Sequence, residues 1–305
     1  MPECEEKTVC MAGFEEALPA LRPELHRYCA RMTGSVIDGE DILQEALIKA
    51  MQALTSGAQV EHLRAWLFRI AHTTALNHFR AEKGELAMKE NILPLAESQQ
   101  NALLQQAPTH NDTADNLRPF LALPPRQRSS VILRDVLGYS AKEVAECTDS
   151  TIASVKSALH RGRSQLKEAA LTASSQEETE MLSGKLSGED QEKLSLYAKF
   201  FNAHDFDSLR DMLSEEVKLD LVNMVKQEGK AKVSGYYGNY SKASDWLMAP
   251  GLVESQPALL VFDRDDASQP PLYFILIDFT SEGLISIRDF RYARYAIEDA
   301  RWQRM

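Results

Sequence analysis

The chain has 305 residues, 44% of them hydrophobic and 26% charged, and a formal net charge of -11. That length sets an expectation of two or three ordinary soluble domains, and no apolar run approaches the roughly 18 residues of a membrane span. The opening MPECEEKTVCMAGFEE is acidic and has no apolar core, unlike a secretory signal, and Cys4, Cys10, Cys29 and Cys147 form no CxxC pair and have no histidine at zinc-finger spacing, so reduced thiols of a cytoplasmic protein are expected, with no metal and no cofactor.

In chain order, the first region, about 14–85, is helical by pattern. Ile42, Leu43, Ala46, Leu47, Ala50, Met51 and Leu54 recur at steps of three and four, the spacing of one buried helix face. Asp38 is expected to cap that helix, with Glu40 and Asp41 at its positive end. In the next helix, HLRAWLFRIAHTTALNHFR, one face carries Leu63, Trp66, Leu67, Ile70, Ala71 and Thr74. Arg64, Arg69, His72, Thr73, Asn77 and Arg80 lie elsewhere around it. Residues 86–116 lose the period, are rich in Gln, Asn and Thr, and read as a linker.

Pro119 and the pair Pro124-Pro125 open the second region, 117–168. There YSAKEVAECTDSTIASVKSALHRGRSQLK predicts a helix at about 140–146, a break at 147–150 and a second helix through 151–167, which is the spacing of a helix-turn-helix. Val144, Ala145, Ile152, Val155 and Leu159 are expected to form the small core between the two helices. Thr151, Ser154, Lys156, Ser157, His160, Arg161 and Arg163 are left for the outer faces. Asp149 stands where the turn often has Gly, and Asp tolerates left-handed backbone better than most residues. Residues 118–167 carry nine Lys and Arg against four Asp and Glu, inside an acidic chain. Polar residues early in such a helix reach base edges and later Arg residues reach phosphates. Acidic flanks weaken indiscriminate binding.

Residues 169–189 read as a second linker. The third region, 190–305, opens with an amphipathic helix, QEKLSLYAKFFNAHDFDSLRDML. The strand-like runs VKLDLV, ALLVFD, LYFILIDF and LISIRDFRYARY follow, and a helix followed by several antiparallel strands predicts an α+β domain.

IDGEDILQEALIKAMQAL followed by HLRAWLFRIAHTTALNHFR resembles region 2 of an RNA polymerase sigma factor. LPPRQRSSVILRDVLGYSAKEVAECTDSTIASVKSALHRGRSQLK resembles region 4. Their order and the linker between them resemble the extracytoplasmic-function (ECF) group of the sigma-70 family, over residues 14–168. The resemblance implies region 2 at 14–85, a linker at 86–116, region 4 at 117–168 and a linker at 169–189. It implies that Asp41, Gln44 and Glu45 bind core RNA polymerase. Arg64, Arg69, Thr73, Asn77 and Arg80 would contact the minus-ten element, with Trp66 and Phe68 in the core. Thr151, Ser154, Lys156, Ser157, His160, Arg161 and Arg163 would read the minus-thirty-five element. Members often carry RN after the IA, where this chain reads Ile70-Ala71-His72-Thr73.

Residues 190–305 resemble a SnoaL-like domain of the nuclear-transport-factor-like superfamily. The fold class implied is multidomain: two all-α sigma domains and a C-terminal α+β cone. The implied function is a transcription initiation factor that is not itself an enzyme, with core RNA polymerase and promoter DNA as partners and no membrane. Its C-terminal domain would touch the sigma regions in cis. The alternative is a helix-turn-helix regulator fused to a SnoaL-like enzyme or sensor. In that case His204, Asp220, Asp278 and Asp289 are candidate acid-base groups. Tyr236, Tyr237, Trp246 and Phe274 would line a site for a small ligand.

Overall fold

The computed structural model describes residues 11–90, 117–173, 188–242 and 245–305. They fall into two compact units, one built from the first two of these segments and one from the last two. The expected linkers at 86–116 and 169–189 lie largely outside the described residues.

The first unit is all helical. α1 (Met11–Thr33), α2 (Val36–Thr55) and α3 (Leu63–Glu90) pack on one another. Gly34, at φ 81°, ends α1. The cap of α2 is Ser35, whose Oγ accepts from the Asp38 N–H at 3.1 Å, so Asp38 sits inside the first turn and is not the cap. A serine hydroxyl three residues upstream already satisfies that orphan donor. Gly39 allows α1 and α2 to approach closely: a Cβ there would stand 2.6 Å from the Ala30 backbone. Met51 faces solvent, 45% exposed, while Ile42, Leu43, Ala46, Leu47 and Ala50 are buried.

A 3₁₀ turn (Arg118–Ala122) leads to α4 (Pro125–Val131), which runs on as a π-helical turn through Val136. α5 (Ala141–Cys147) starts on a capping box: Ser140 and Glu143 satisfy each other's backbone N–H groups. α6 (Ile152–Ala173) follows after Asp149 at φ 50°. Val144, Ala145, Val155 and Leu159 form the expected core, but Ile152, in the first turn of α6, is 45% exposed. The core of this unit is continuous. Phe14, Tyr28, Leu43, Leu67 and Phe68 pack in the same cluster as Ile132, Leu133, Val144 and Leu159.

The second unit is α+β. α7 (Gly188–Asn202) and α8 (Phe206–Asp211) precede a seven-stranded sheet. Its strands are β1 (Leu213–Leu221), β2 (Val225–Glu228), β3 (Trp246–Val253), β4 (Gln256–Asp263), β5 (Tyr273–Thr280), β6 (Gly283–Asp289) and β7 (Trp302–Arg304). The order is β2-β1-β6-β5-β4-β3-β7. All neighbours are antiparallel except β1 and β6, which run parallel. Register shifts interrupt the β1–β6 and β5–β6 pairings, irregularities of the kind that bend a sheet. α7 buries Leu194, Tyr197, Ala198 and Phe201 on the face that carries Leu259, Val261, Ile275 and Ile277. The alternating set, Phe274 among it, points to the opposite face, where Phe274 stacks on Phe290 at 4.2 Å. Phe274 therefore does not line the interior beneath α7, because strand alternation gives that side to Tyr273 and Ile275. The last predicted strand stops at Asp289, and the FRYARY segment is turn.

Candidate nucleic-acid interface

α5 and α6 form a helix-turn-helix. Thr151 Oγ1 accepts the Ser154 N–H at 3.2 Å and so caps α6. Thr151, Ser154, Lys156, Ser157, His160, Arg161 and Arg163 are all exposed, on the side of α6 away from Val155, Ala158 and Leu159. Gly162 seats α6 on α4, since a Cβ there would meet Val131 at 2.8 Å. Arg163 is not a free cation: its guanidinium makes a two-point pair with Asp135 at 2.5 and 2.9 Å. The Arg163 side chain stays 55% exposed in that pair, and an exposed pair holds its charge only weakly, so a phosphate can compete for it.

On α3, Arg69, Thr73, Asn77 and Arg80 are exposed and follow the i, i+4, i+8, i+11 spacing of one stripe. Arg80 donates to Asn77 Oδ1 at 3.2 Å, and Thr73 back-bonds to the Arg69 carbonyl. Arg69 donates twice to the Glu146 carbonyl, at 3.0 and 3.2 Å, at the negative end of α5. Arg64 stands apart from this stripe. It pairs with Glu24 at 3.2 Å, and Glu24 accepts from Tyr139 at 2.9 Å. Trp66 is half-buried against the core and Phe68 is fully inside it.

His72 departs from the expected outward placement. It is 7% exposed because it shares a face with Phe68 and Ala75, a second buried side of α3. Its neighbours were not visible in the pattern of a single helix. Arg128 of α4 was missed for the same reason. It is buried, donates to the carbonyls of Met32, Leu121 and Leu123, and lies over the Phe79 ring. Burial lowers its pKa to about 10.

Asp41 and Glu45 are exposed on α2 and Gln44 is half-buried, hydrogen-bonded to Glu40. One and two turns on from this group, Ile48 and Met51 are 55% and 45% exposed. α2 thus presents a mixed acidic and apolar face.

In the second unit, Asp289 is fully buried. It accepts from Tyr236 at 2.8 Å, Tyr240 at 2.7 Å and the Arg291 N–H at 2.8 Å. Burial raises its carboxyl above the ordinary range, and the three hydrogen bonds partly offset this. The same burial pushes Tyr236 and Tyr240 well up. The structure does not bring the other candidate acid-base groups to it. Asp278 is exposed, Asp220 of β1 pairs with Lys226 of β2 and Arg288 of β6, and His204 stacks on Trp246 in the α7–α8 turn. Tyr237 and Trp246 pack on Phe201, which also meets Tyr197, Phe206 and Tyr240. Among the described residues, no group of three or more His, Cys, Asp or Glu could hold a metal ion, and no helix is long and apolar enough to cross a membrane.

Residues 19–85 match the family description Sigma-70 region 2, and residues 120–166 match Sigma-70, region 4. The chain is 32% identical over 217 residues to the ECF RNA polymerase sigma factor SigG of Mycobacterium tuberculosis, covering 64% of this chain and 57% of SigG. It thus spans little more than half of that relative's length. It is 30% identical over 167 residues to the ECF RNA polymerase sigma factor SigD of the same species, covering 53% of this chain and 78% of SigD. The sigma factor RpoE of Bartonella quintana, solved in complex with the anti-sigma factor NepR, aligns with a TM-score of 0.41 and 23% identity. That alignment covers 52% of this chain and 96% of RpoE. The two region matches fall in order on the helices that carry the α3 stripe and the basic α6, and most of SigD is covered: the chain belongs to the ECF group of RNA polymerase sigma factors.

Proposed function

We propose that the chain is a cytoplasmic transcription initiation factor. It binds core RNA polymerase, directs it to a promoter and helps open the DNA, and the polymerase does the chemistry. The observation that carries this reading is the exposed polar and cationic face of α6, in one unit with the α3 stripe of Arg69, Thr73, Asn77 and Arg80. α6 would read the minus-thirty-five element, and the stripe, with Arg64, the minus-ten element. Asp41, Gln44 and Glu45 would contact the polymerase. Ile48 and Met51 support that role, because exposed apolar side chains beside acids suit a partner surface. The second unit would act on initiation in cis, as a SnoaL-like regulatory domain. Its interior rings around Phe201 serve as packed core in this reading of the chain as an initiation factor.

Run-off transcription with purified core polymerase and a promoter-fragment library tests this. Specific transcripts are expected from the full chain, and loss of at least ten-fold from the double variant Asp41→Ala, Gln44→Ala with promoter binding retained. A chain ending near residue 170 gives the sign of the C-terminal effect. Promoter binding without polymerase, and no transcript from either form, would favour the fused regulator.

A further inference from the structure

The continuous core of the first unit has one buried polar junction where its two halves meet. The Tyr28 hydroxyl of α1 lies 3.0 Å from His72 Nδ1 of α3 and 2.8 Å from Ser129 Oγ of α4. Tyr28 and Ser129 are fully buried and His72 nearly so. One residue from Ser129, Arg128 donates to the carbonyl of Met32. Around this junction α3 meets α5, where Arg69 of the promoter-facing stripe is tied to the Glu146 carbonyl. While the halves stay together, part of that stripe is occupied by the chain itself.

We propose that Tyr28, His72 and Ser129 form a latch that holds the two helical halves of this unit together, and that a proton on His72 releases it. The hydrogen bonds alone do not forbid the charged ring, since a protonated Nδ1 could donate to Tyr28, which could then donate to Ser129. The penalty is burial of an imidazolium next to existing positive charge. From α4, Arg126 and Arg128 flank the site, and Arg126 acts directly on His72. From α1 come Tyr28 and Cys29, both held neutral by burial. From α5 comes Cys147, also pushed up by burial, with Glu143, Glu146, Glu24 and Arg69 around the thiol. From α2, Lys49 donates to Thr74, two residues beyond His72. Burial first, and Arg126 second, lower the His72 pKa from 6.5 to about 4. The separated halves would expose His72 and restore its ordinary value. The closed form therefore has its full advantage above about 6.5, and loses it as pH falls towards 4.

Between pH 7 and pH 5.5 this linkage raises the opening equilibrium roughly eight-fold. Hydrogen exchange of the full chain, corrected for the intrinsic pH dependence of exchange, reads it directly. Amides of α1 residues 22–33 and of α4 should lose about eight-fold in protection over that interval, while those of the second unit should lose none. His72→Gln keeps a hydrogen-bond acceptor without the titration and should flatten the response to less than two-fold. His72→Phe replaces it if that variant fails to fold by circular dichroism. Ser129→Ala should lower protection at both pH values and keep the pH response. A wild-type chain with no change between the two pH values, or a glutamine or phenylalanine variant that responds as the wild type does, overturns the latch. Neither polymerase nor DNA enters the measurement, so a failed latch is distinguishable from a failed initiation-factor reading.

Discussion

Asp289 shows how much one buried side chain depends on its donors. Its carboxyl sits above the ordinary range because burial outweighs the hydrogen bonds from Tyr240, the Arg291 backbone and Tyr236. The folded chain thus keeps a proton that the unfolded chain releases near pH 4. The stabilisation is complete below that value and is lost as pH rises through the raised one. Thermal melting of the second unit should show its stability falling with pH just above about 4. Asp289→Asn should remove that slope and cost about 1–3 kcal/mol, because an amide cannot accept all three donors. A slope unchanged in the variant would place the titration on another group. The sequence had Asp289 among four candidate acid-base groups, three of them carboxyls, without a way to choose between them. Asp220 and Asp289 both alternate with apolar residues, and only the register separates them: Asp289 lies beside Ile275, on the face beneath α7, while Asp220 lies beside Arg288, on the opposite face. The same limit hid His72 and Arg128. Their partners lie 44 and 96 positions away, beyond any local period.

At the scale of elements, the helices were legible because their burial repeats at helical spacing. The turn in the helix-turn-helix was legible too, since Asp149 adopts the left-handed backbone its type tolerates. Asp149→Gly should stabilise the first unit by about 1 kcal/mol and Asp149→Val destabilise it by about 1–2 kcal/mol, as read from the urea midpoint. Equal midpoints would mean that the turn relaxes at no cost. Three strands were not legible, for separate reasons. β3 contains Pro250 and Gly251, which read as punctuation, although Gly251 is where β3 meets β7 closely. β2 and β7 are four and three residues long and mostly polar, so neither shows a period. Ile152 and Met51 fit the apolar period and are exposed nonetheless. A helix pattern marks apolar residues, and the partner decides which of them it covers.

Across the whole molecule, charge is segregated. Residues 1–117 carry 17 acids against 10 bases and residues 168–305 carry 24 against 15, on either side of the basic stretch. Promoter binding should therefore weaken steeply with salt. Arg161→Glu with Arg163→Glu should reduce the log–log slope by about 1.8, the loss of two phosphate contacts. Retention of promoter fragments across a salt series measures this, and an unchanged slope would remove both residues from the backbone contact. The two family descriptions match separate stretches of the chain, which invites treating them as cassettes. The shared interior gives them a joint inheritance. Tyr28 meets Ser129 across 101 positions, and Glu24 meets Tyr139 across 115. A hybrid that grafts the second helical half of a relative onto the first half of this chain would receive only one member of each bond. Substitutions at such positions should travel together through descent, so the ancestry of either half is best traced in pairs.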